Sequence, residues 1–167
     1  MDPGNRLDAR TVALSAVFAA GVAIATMAIA MPFGQGYLNF GEIVIFTAAF
    51  LFGGVVGGLA GGIGASAADI ILGYAYYAPI TLIVKGLEGY VVGEVSGESS
   101  MSKLIGVAAG APFMIFGYTL ARAYFEGVPA ALFIELPINI VQAGVGAAIA
   151  LPLTEALQEF VPQLTHD

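Results

Sequence analysis

The chain has 167 residues, of which 59% are hydrophobic and only 10% are charged. Its mean hydropathy of +0.91 is far above that of soluble proteins, so the composition predicts that a lipid bilayer surrounds most of the chain. A net charge of −7 with only five basic residues excludes a nucleic-acid-binding surface, and the lack of cysteine excludes disulfides, thiol nucleophiles and iron–sulfur sites.

Short polar or glycine-rich breaks divide the chain into six apolar blocks, most of them close to the roughly 20 residues that a helix needs to cross a bilayer. We therefore predict an all-α membrane protein, a compact bundle that forms a single domain over residues 1–167. Its six transmembrane helices are predicted at Thr11–Met31, Phe40–Phe52, Val55–Gly73, Ala78–Val95, Lys103–Tyr124 and Ala130–Leu151. Five spans is the alternative, because the second block is short.

The first block follows Arg6 and Arg10, as the apolar core of a signal peptide would. Because Thr11–Met31 is longer than the 7 to 15 residues typical of such a core, we predict a first transmembrane helix that is retained. In a six-helix bundle Arg6, Arg10 and Lys103 all lie on one side, so the excess of basic residues in cytoplasmic loops predicts that both termini are cytoplasmic. Arg122, near the outer end of the fifth span, is the exception.

The second and third spans are separated only by Gly53 and Gly54, which predicts a tight helical hairpin or a partly re-entrant segment. Glycines continue from this point in two rows with a spacing of four residues: Gly53, Gly57, Gly61 and Gly54, Gly58, Gly62. Residues four apart share a helix face, and a face without side chains lets another backbone approach closely. The rows therefore predict close helix packing within the molecule.

Polar side chains inside the predicted spans gather toward the outer ends of the helices. A charge at the middle of a transmembrane helix costs about 2.5 to 3.5 kcal/mol, so each requires a partner or a function. Lys85 and Glu88 share one helix face through their spacing. Another face is shared by Glu135, Asn139 and Gln142. Two further acids, Glu42 and Asp69, lie near the ends of spans. We interpret the cluster as a binding site. The alternative is a set of structural ion pairs, Lys85 with Glu88 or with Glu135.

Aromatic residues are concentrated at the same level of the bundle: Tyr37, Phe40, Tyr74, Tyr76, Tyr77, Tyr118, Tyr124 and Phe125. An interfacial belt is the alternative interpretation, but a belt marks both faces of a membrane, and only Phe52 and Phe160 lie near the inner side. The excess on the outer side favours stacking on a flat ring, for which Tyr77 and Tyr118 are the candidates. A polar pocket rimmed by aromatics and closed by an apolar inner half is typical of binding rather than conduction.

Taken in order, these segments resemble the S components of energy-coupling factor (ECF) vitamin transporters, small six-helix membrane proteins that bind a vitamin and pass it on with an ATP-driven module. The resemblance is closest to the branch assigned to riboflavin, pyridoxine or hydroxymethylpyrimidine. It covers most of the chain and is carried by Arg10–Ala20, Tyr37–Glu42, Phe52–Gly58 with Ala68 and Asp69, Pro79–Gly89, and Glu135–Asn139 with Gln142.

This resemblance implies a substrate-binding subunit that works with a transmembrane coupling subunit and two ATPase subunits in the plasma membrane. It implies that Ala16 and Ala20 dock the first helix on the coupling subunit, and that the segment Pro32–Leu38 closes over the substrate. Spans four to six are expected to form most of the pocket, and Asn39 joins the predicted site.

No enzyme activity, cofactor or metal site is expected. The single histidine, His166, lies in the tail, and neither H-E-x-x-H nor a P-loop is present, so energy for transport must come from a partner. Two other classes stay open. One is a stand-alone secondary transporter of a small metabolite, although no internal repeat or inner polar path is visible. The other is a structural membrane subunit.

The charges within the outer half constrain the substrate. Lys85 and Arg122 are outnumbered by five acids, which are Glu42, Asp69, Glu88, Glu126 and Glu135. An acidic excess in a low-dielectric pocket repels anions. We therefore expect a neutral or cationic ring such as hydroxymethylpyrimidine, pyridoxine or thiamine, with riboflavin behind them, rather than folate, biotin or pantothenate.

Overall fold

The computed structural model describes residues 8–33 and 36–160. Five long helices dominate this part of the chain: α1 (Ala9–Ala28), α2 (Gly41–Ile71), α3 (Ala78–Val95), α4 (Ser100–Glu126) and α6 (Leu136–Phe160). The short helix α5 (Val128–Ala130) continues through a π-helical turn (Ala131–Glu135) into α6. The predicted helical class is confirmed. Arg6 and the tail that contains His166 lie outside the described residues.

Strands β1 (Met31–Phe33) and β2 (Gly36–Leu38) connect α1 to α2 as an antiparallel pair, with Met31 opposite Leu38 and Pro32 opposite Tyr37. The family resemblance implied only a loop here, Pro32–Leu38. Three-residue strands are too short for the alternation of polar and apolar residues that identifies a strand in a sequence, so the hairpin could not be recognised there.

The surface of the bundle is apolar. Four helical segments of the described chain are long and apolar enough to cross a membrane, namely Ala9–Ala28, Gly41–Ile71, Ser100–Glu126 and Val128–Glu159. Helix α3 is not among these segments, and its 18 residues include three charged side chains, Lys85, Glu88 and Glu94. Large apolar side chains are exposed on several helices, including Phe133 at 81% and Leu120 at 70%. Such a surface suits hydrocarbon rather than water.

Helix α1 begins with an N-cap, because Asp8 Oδ1 accepts a hydrogen bond from the backbone N–H of Thr11 at 2.8 Å. The hydrogen bonds from Thr11 lower the pKa of Asp8. The inner face of α1 is formed by small and polar side chains, Ser15, Ala19, Val22 and Thr26, which are all buried. Ala16 and Ala20 lie on the exposed face of the same helix.

Helix α2 folds back on itself at Gly53, where φ is 82° and ψ is −177°, a conformation that is essentially restricted to glycine. Residues at equal distances on either side of Gly53 face each other. A Cβ atom on Gly57 would lie 2.7 Å from Cβ of Ala49, and one on Gly61 would lie 3.3 Å from the side chain of Ile45. Residues 41–52 and 54–71 are therefore two antiparallel arms, and the structure forms the helical hairpin expected at this point.

Both glycine rows of the second arm face α3. A Cβ atom on Gly57, Gly58, Gly61 or Gly62 would lie 2.7 to 2.9 Å from a backbone oxygen of Gly89, Gly86, Lys85 or Leu82, respectively. Backbone meets backbone along the whole contact. This arrangement confirms the close packing that the glycine spacing predicted, and it is the means by which helices associate where hydrophobic burial gives no advantage.

Helix α6 ends at Phe160, nine residues beyond Leu151, where the predicted sixth span ends. The final turns include Pro152, Glu155 and Glu159. Ser100 on α4 donates a hydrogen bond to Glu155 at 2.6 Å, which ties this end of α6 to the bundle. Hydropathy marks where apolar sequence stops, but a helix continues as long as its backbone hydrogen bonds do, so the apolar block underestimated its length.

Candidate functional site

A cavity opens at one end of the bundle, where the end of α1, the start of α2, the end of the second arm of α2, the start of α3, the end of α4 and the start of α6 converge. The cavity encloses about 600 Å³ of space between atoms, counted out to its open mouth. Within this space the centre of a water molecule can occupy about 60 Å³. Its wall is formed by Thr26, Asn39, Gly41, Ile45, Ala65, Asp69, Tyr74, Tyr77, Thr81, Lys85, Tyr118, Arg122, Glu135, Asn139 and Gln142.

Lys85 is the centre of a buried ionic group below the cavity. Its Nζ is ion-paired with Glu42 Oε1 and with Glu88 Oε2, the latter at 3.1 Å, and it lies 5.5 Å from the centre of the Tyr118 ring. Gln142 Nε2 on α6 donates a hydrogen bond to Glu42 Oε1 at 2.7 Å. The group joins α2, α3 and α6. The ion pair between Lys85 and Glu88 is one of the two structural pairs that the sequence suggested. The ion pair between Lys85 and Glu42 was not indicated by the spacing.

A chain of hydroxyl groups runs along the wall of the cavity. Tyr118 OH on α4 donates to Thr81 Oγ1 on α3 at 3.0 Å, and Thr81 Oγ1 donates to Asp69 Oδ2 on α2. Asp69 and Thr81 are 5% and 2% exposed. Buried polar groups are stable in such an environment only when they are hydrogen-bonded. The chain of bonds holds Asp69 and Tyr118 in place at the cavity.

Arg122 on α4 is the second cation of the cavity wall and is only 1% exposed. Its Nε lies 3.1 Å from Glu126 Oε1, and its Nη1 lies 3.5 Å from Glu135 Oε2. Glu135 Oε1 in turn accepts a hydrogen bond from Asn139 Nδ2 at 3.1 Å. The i, i+4 spacing of Glu135 and Asn139 thus produces a direct bond, while the Arg122 contact links α4 to the π-helical turn.

Asn39 connects the β-hairpin to the helices around the cavity. Its backbone N–H donates to Gln142 Oε1 at 3.2 Å, and its side-chain Oδ1 accepts from the backbone N–H of Gly41 at 2.8 Å. The hydroxyl of Thr26 at the end of α1 lies 3.4 Å from the same Oδ1 atom. The start of α2 is therefore held by residues of α1 and α6.

Aromatic rings continue from the cavity to the end of the bundle. The Tyr77 ring lies 6.4 Å from Tyr118 and 5.5 Å from Phe125, and the Tyr76 ring lies 4.9 Å from Tyr77. Tyr77 is 9% exposed, whereas Tyr124 is 85% exposed. Burial raises the pKa of Tyr77 to about 12, so its phenol stays protonated and can donate a hydrogen bond at physiological pH. Tyr77 and Tyr118 line the cavity, and the other rings extend the cluster from Tyr77.

The structure brings eight of the ten predicted site residues to the cavity wall, namely Asn39, Asp69, Tyr77, Lys85, Tyr118, Glu135, Asn139 and Gln142. Glu42 and Glu88 do not line this cavity. Glu88 is 0% exposed and lies behind Lys85, and Glu42 borders a smaller neighbouring cavity. Both are ion-pair partners of Lys85.

Thr26, Tyr74, Thr81 and Arg122 are polar wall residues that the predicted site did not include. Helical spacing could have identified two of them. Thr81 lies four residues from both Tyr77 and Lys85, and Arg122 lies four residues after Tyr118, so each shares a helix face with a predicted site residue. The sequence patterns led us to treat Arg122 as an exception to the distribution of basic residues and to count it in the charge balance of the outer half, but not to place it in the site.

Residues 6–159 match the family described as ECF-type riboflavin transporter, S component. The chain belongs to this family. Membership confirms the resemblance found in the sequence, and with it a multi-pass protein of the plasma membrane that is a transporter component and not an enzyme. It also identifies this S component as the part of an ECF transporter that binds the substrate.

Two curated relatives are similar to this S component. A protein of Pyrococcus woesei, described as an uncharacterized protein in gap 3'region, is 42% identical over 132 residues, which are 77% of this chain and 88% of the relative. The thiamine precursor transporter HmpT of Lactococcus lactis subsp. cremoris is 29% identical over 117 residues, which are 70% of this chain and 67% of HmpT.

Proposed function

We propose that this S component captures a small neutral or cationic heterocycle from the outer side of the membrane and delivers it through an ATP-driven importer. The observation that carries the proposal is the cavity itself, which is lined by polar and aromatic side chains and open at one end of the bundle. Toward the other end the interior is filled by Phe46, Ala49, Val56 and Ala60, all at most 3% exposed. A site that is open at one end and sealed by an apolar core is suited to capture.

Six crossings with both termini in the cytoplasm form part of the proposal. Consecutive helical segments, with the two arms of α2 counted separately, run alternately toward and away from the cavity. Arg10 at the start of α1 and Lys103 at the start of α4 therefore lie at the end opposite the cavity, which is the cytoplasmic end by the distribution of basic residues. We propose that these segments form one transmembrane domain.

The size of the cavity favours a compound with one ring. The 60 Å³ that a water centre can reach corresponds to about four to six water molecules, on a scale of roughly 10 to 15 Å³ for each. A hydroxymethylpyrimidine is closer to this size than a compound with several fused rings, and the thiamine precursor in the name of HmpT supports the same class. Riboflavin, which the family description names, has three fused rings and requires a wider opening, so we place it behind the one-ring candidates.

Energy and release are assigned to partners. We propose that a transmembrane coupling subunit and two ATPase subunits complete the transporter, and that Ala16 and Ala20 form the contact of α1 with the coupling subunit. Both alanines lie on the exposed face of α1, which leaves them available to a partner helix. A helix can approach such small side chains closely.

Equilibrium titration of the purified protein against a panel of vitamins and precursors tests the proposal. We expect one ring compound to bind at or below micromolar concentration without any ATPase subunit. The variants Glu135→Ala and Asn139→Ala should each weaken binding by about 1 to 3 kcal/mol, because each removes a hydrogen-bonding group from the cavity wall. Unchanged affinity in both variants would contradict the site, and a panel without any ligand would contradict the function.

A further inference from the structure

Arg122 is a buried cation whose hydrogen-bonding capacity is unused. A guanidinium group carries five N–H donors in a fixed plane. In the described chain Nε, Nη1 and Nη2 of Arg122 are all buried and make no hydrogen bond. The carboxylates of Glu126 and Glu135 are close enough to compensate the charge, but neither forms a hydrogen bond with the guanidinium group. Buried donors in proteins are usually hydrogen-bonded, so a partner for the guanidinium group is missing from this site.

Lys85, the other cation of the wall, differs from Arg122 in this respect. Its ammonium group donates to Glu42 and to Glu88, and those bonds are buried below the cavity. Lys85 is therefore already engaged with side chains of the protein itself. Two of its three N–H groups are thus used, whereas Arg122 is the described cation of the cavity wall whose nitrogens all lack a hydrogen bond.

Glu135 offers acceptors immediately beside these donors. Its Oε1 accepts from Asn139, but its Oε2 has only the 3.5 Å contact with Arg122 Nη1. Arg122 and Glu135 both line the cavity, from α4 and from the π-helical turn. The wall thus presents a planar donor group and an acceptor atom next to each other. A ligand edge with the complementary order, an acceptor next to a donor, can bond to both.

We propose that Arg122 and Glu135 together bind the edge of the substrate ring on which a hydrogen-bond acceptor and a donor are adjacent. Suitable edges are an amidine, in which a ring nitrogen lies beside an exocyclic amine, and a lactam, in which a carbonyl lies beside a ring N–H. The inference rests on the proposed function of the same cavity and makes it more specific. Pyridoxine has neither an amidine nor a lactam edge and is excluded, whereas an aminopyrimidine has the first and a flavin has the second.

The experiment compares pairs of compounds that differ only at this edge. The first pair is hydroxymethylpyrimidine with its exocyclic amine and the analogue in which hydrogen replaces the amine. The second pair is riboflavin and riboflavin methylated at the imide nitrogen. For the pair that the wild-type protein binds, we expect the intact compound to bind at least about tenfold more tightly than its partner, the effect of losing hydrogen bonds to charged groups.

In Arg122→Met and in Glu135→Gln the preference for the intact compound should fall to about twofold or less. The control is Glu126→Gln, which removes the other acidic neighbour of Arg122 but does not alter the wall, and it should keep the preference of the wild type. A purely structural role of Arg122 would lower stability in all three variants and leave the preference unchanged. If Arg122→Met does not fold, Arg122→Lys keeps the charge, loses the planar donors, and should show the same loss of preference.

Three results would overturn the inference. They are an unchanged preference in the Arg122 variant that folds, equal binding of both compounds of a pair by the wild type, and tight binding of pyridoxine in place of either pair. In these cases the protein still binds a ring compound, so the proposed function stands. Failure of the wild type to bind any compound of the panel would instead contradict the proposed function, and the inference with it.

Discussion

Each of the two cations at the cavity lies between two carboxylates. Lys85 is ion-paired with Glu42 and Glu88, and Arg122 is close to Glu126 and Glu135. In a medium of low dielectric constant two carboxylates repel strongly unless a cation separates them. Removal of a cation therefore leaves two uncompensated acids, whereas removal of one acid leaves a balanced pair. At the scale of single residues, the cations are the sensitive positions.

Lys85→Met should lower the free energy of unfolding by about 3 to 5 kcal/mol, the usual cost of breaking a buried ion pair from one side. Thermal unfolding in detergent measures the change. Lys103→Met is the matched control, because Lys103 is also only 1% exposed but has no ion pair with a described residue. We expect a clearly smaller loss for Lys103→Met. Equal losses in the two variants would show that the Glu42 and Glu88 contacts are not what stabilises Lys85.

At the scale of elements, glycine determines how α2 packs. Gly53 permits the sharp reversal between its arms, and the glycines of the second arm let α3 approach backbone to backbone. This close approach of the two helices also positions the site. Asp69 lies in the last turn of the second arm, and Thr81 and Lys85 lie in the first half of α3. The distance between these helices therefore sets the hydrogen bond between Asp69 and Thr81. Any side chain added between the helices would disturb both.

Gly57→Ala should destabilise the protein by about 1 to 3 kcal/mol, as is usual when a well-packed core is overfilled. The added methyl group would lie 2.8 Å from the carbonyl oxygen of Gly89 and 2.9 Å from Cα of Ala49, and a backbone cannot move aside easily. Gly144→Ala on α6 is the control. Nothing lies within 4 Å of its added Cβ, so it should be neutral or stabilise by up to about 1 kcal/mol. The prediction fails if the two variants unfold at the same temperature.

At the scale of the whole molecule, the two ends of the bundle differ. The cavity and its aromatic rim occupy one end, and Arg10, Lys103 and the connection at residues 96–99 occupy the other. This polarity fits the proposed importer, in which the substrate arrives from one side and the energy is supplied from the other. The orientation in the membrane and the contact with partners can each be tested separately.

Because the chain has no cysteine, a single introduced cysteine reports its own position without background. We expect Tyr124→Cys, at the end of α4 near the cavity, to react with a membrane-impermeant maleimide in intact cells. Glu98→Cys, in the connection between α3 and α4, should react only after the cells are permeabilised. The reverse pattern would invert the proposed orientation. Labelling of both from outside would mean that α4 does not cross the membrane.

Ala16→Trp and Ala20→Trp should abolish uptake and co-purification of the coupling subunit while leaving substrate binding intact, because an indole prevents close approach of a second helix. Co-purification from membranes and titration of the purified variants measure the two effects. Leu120→Trp provides the comparison, since Leu120 is 70% exposed on α4, away from the α1 face, and should permit assembly. Normal co-purification with both alanine variants would exclude this face as the contact.

Local patterns in the sequence predicted a large part of the fold. Apolar blocks indicate helices because hydropathy is a property of neighbouring residues, and the spacing of glycines indicates a close contact because the period of a helix is fixed. The same local rule placed Glu135, Asn139 and Gln142 on one face of a helix, and all three line the cavity. It also placed Lys85 and Glu88 on one face, although only Lys85 reaches the cavity.

Partnerships between helices were decided by the tertiary structure. Glu42 and Lys85 are 43 residues apart, Gln142 lies 100 residues after Glu42, and Arg122 meets Glu135 across the connection between α4 and α6. The sequence alone determined that a bilayer surrounds the chain, that helices cross it, and which polar residues need partners. It left open which carboxylate each cation binds and which cation lacks hydrogen bonds, because an ion pair depends on distances of a few ångströms between helices, and helical periodicity carries no information about those distances.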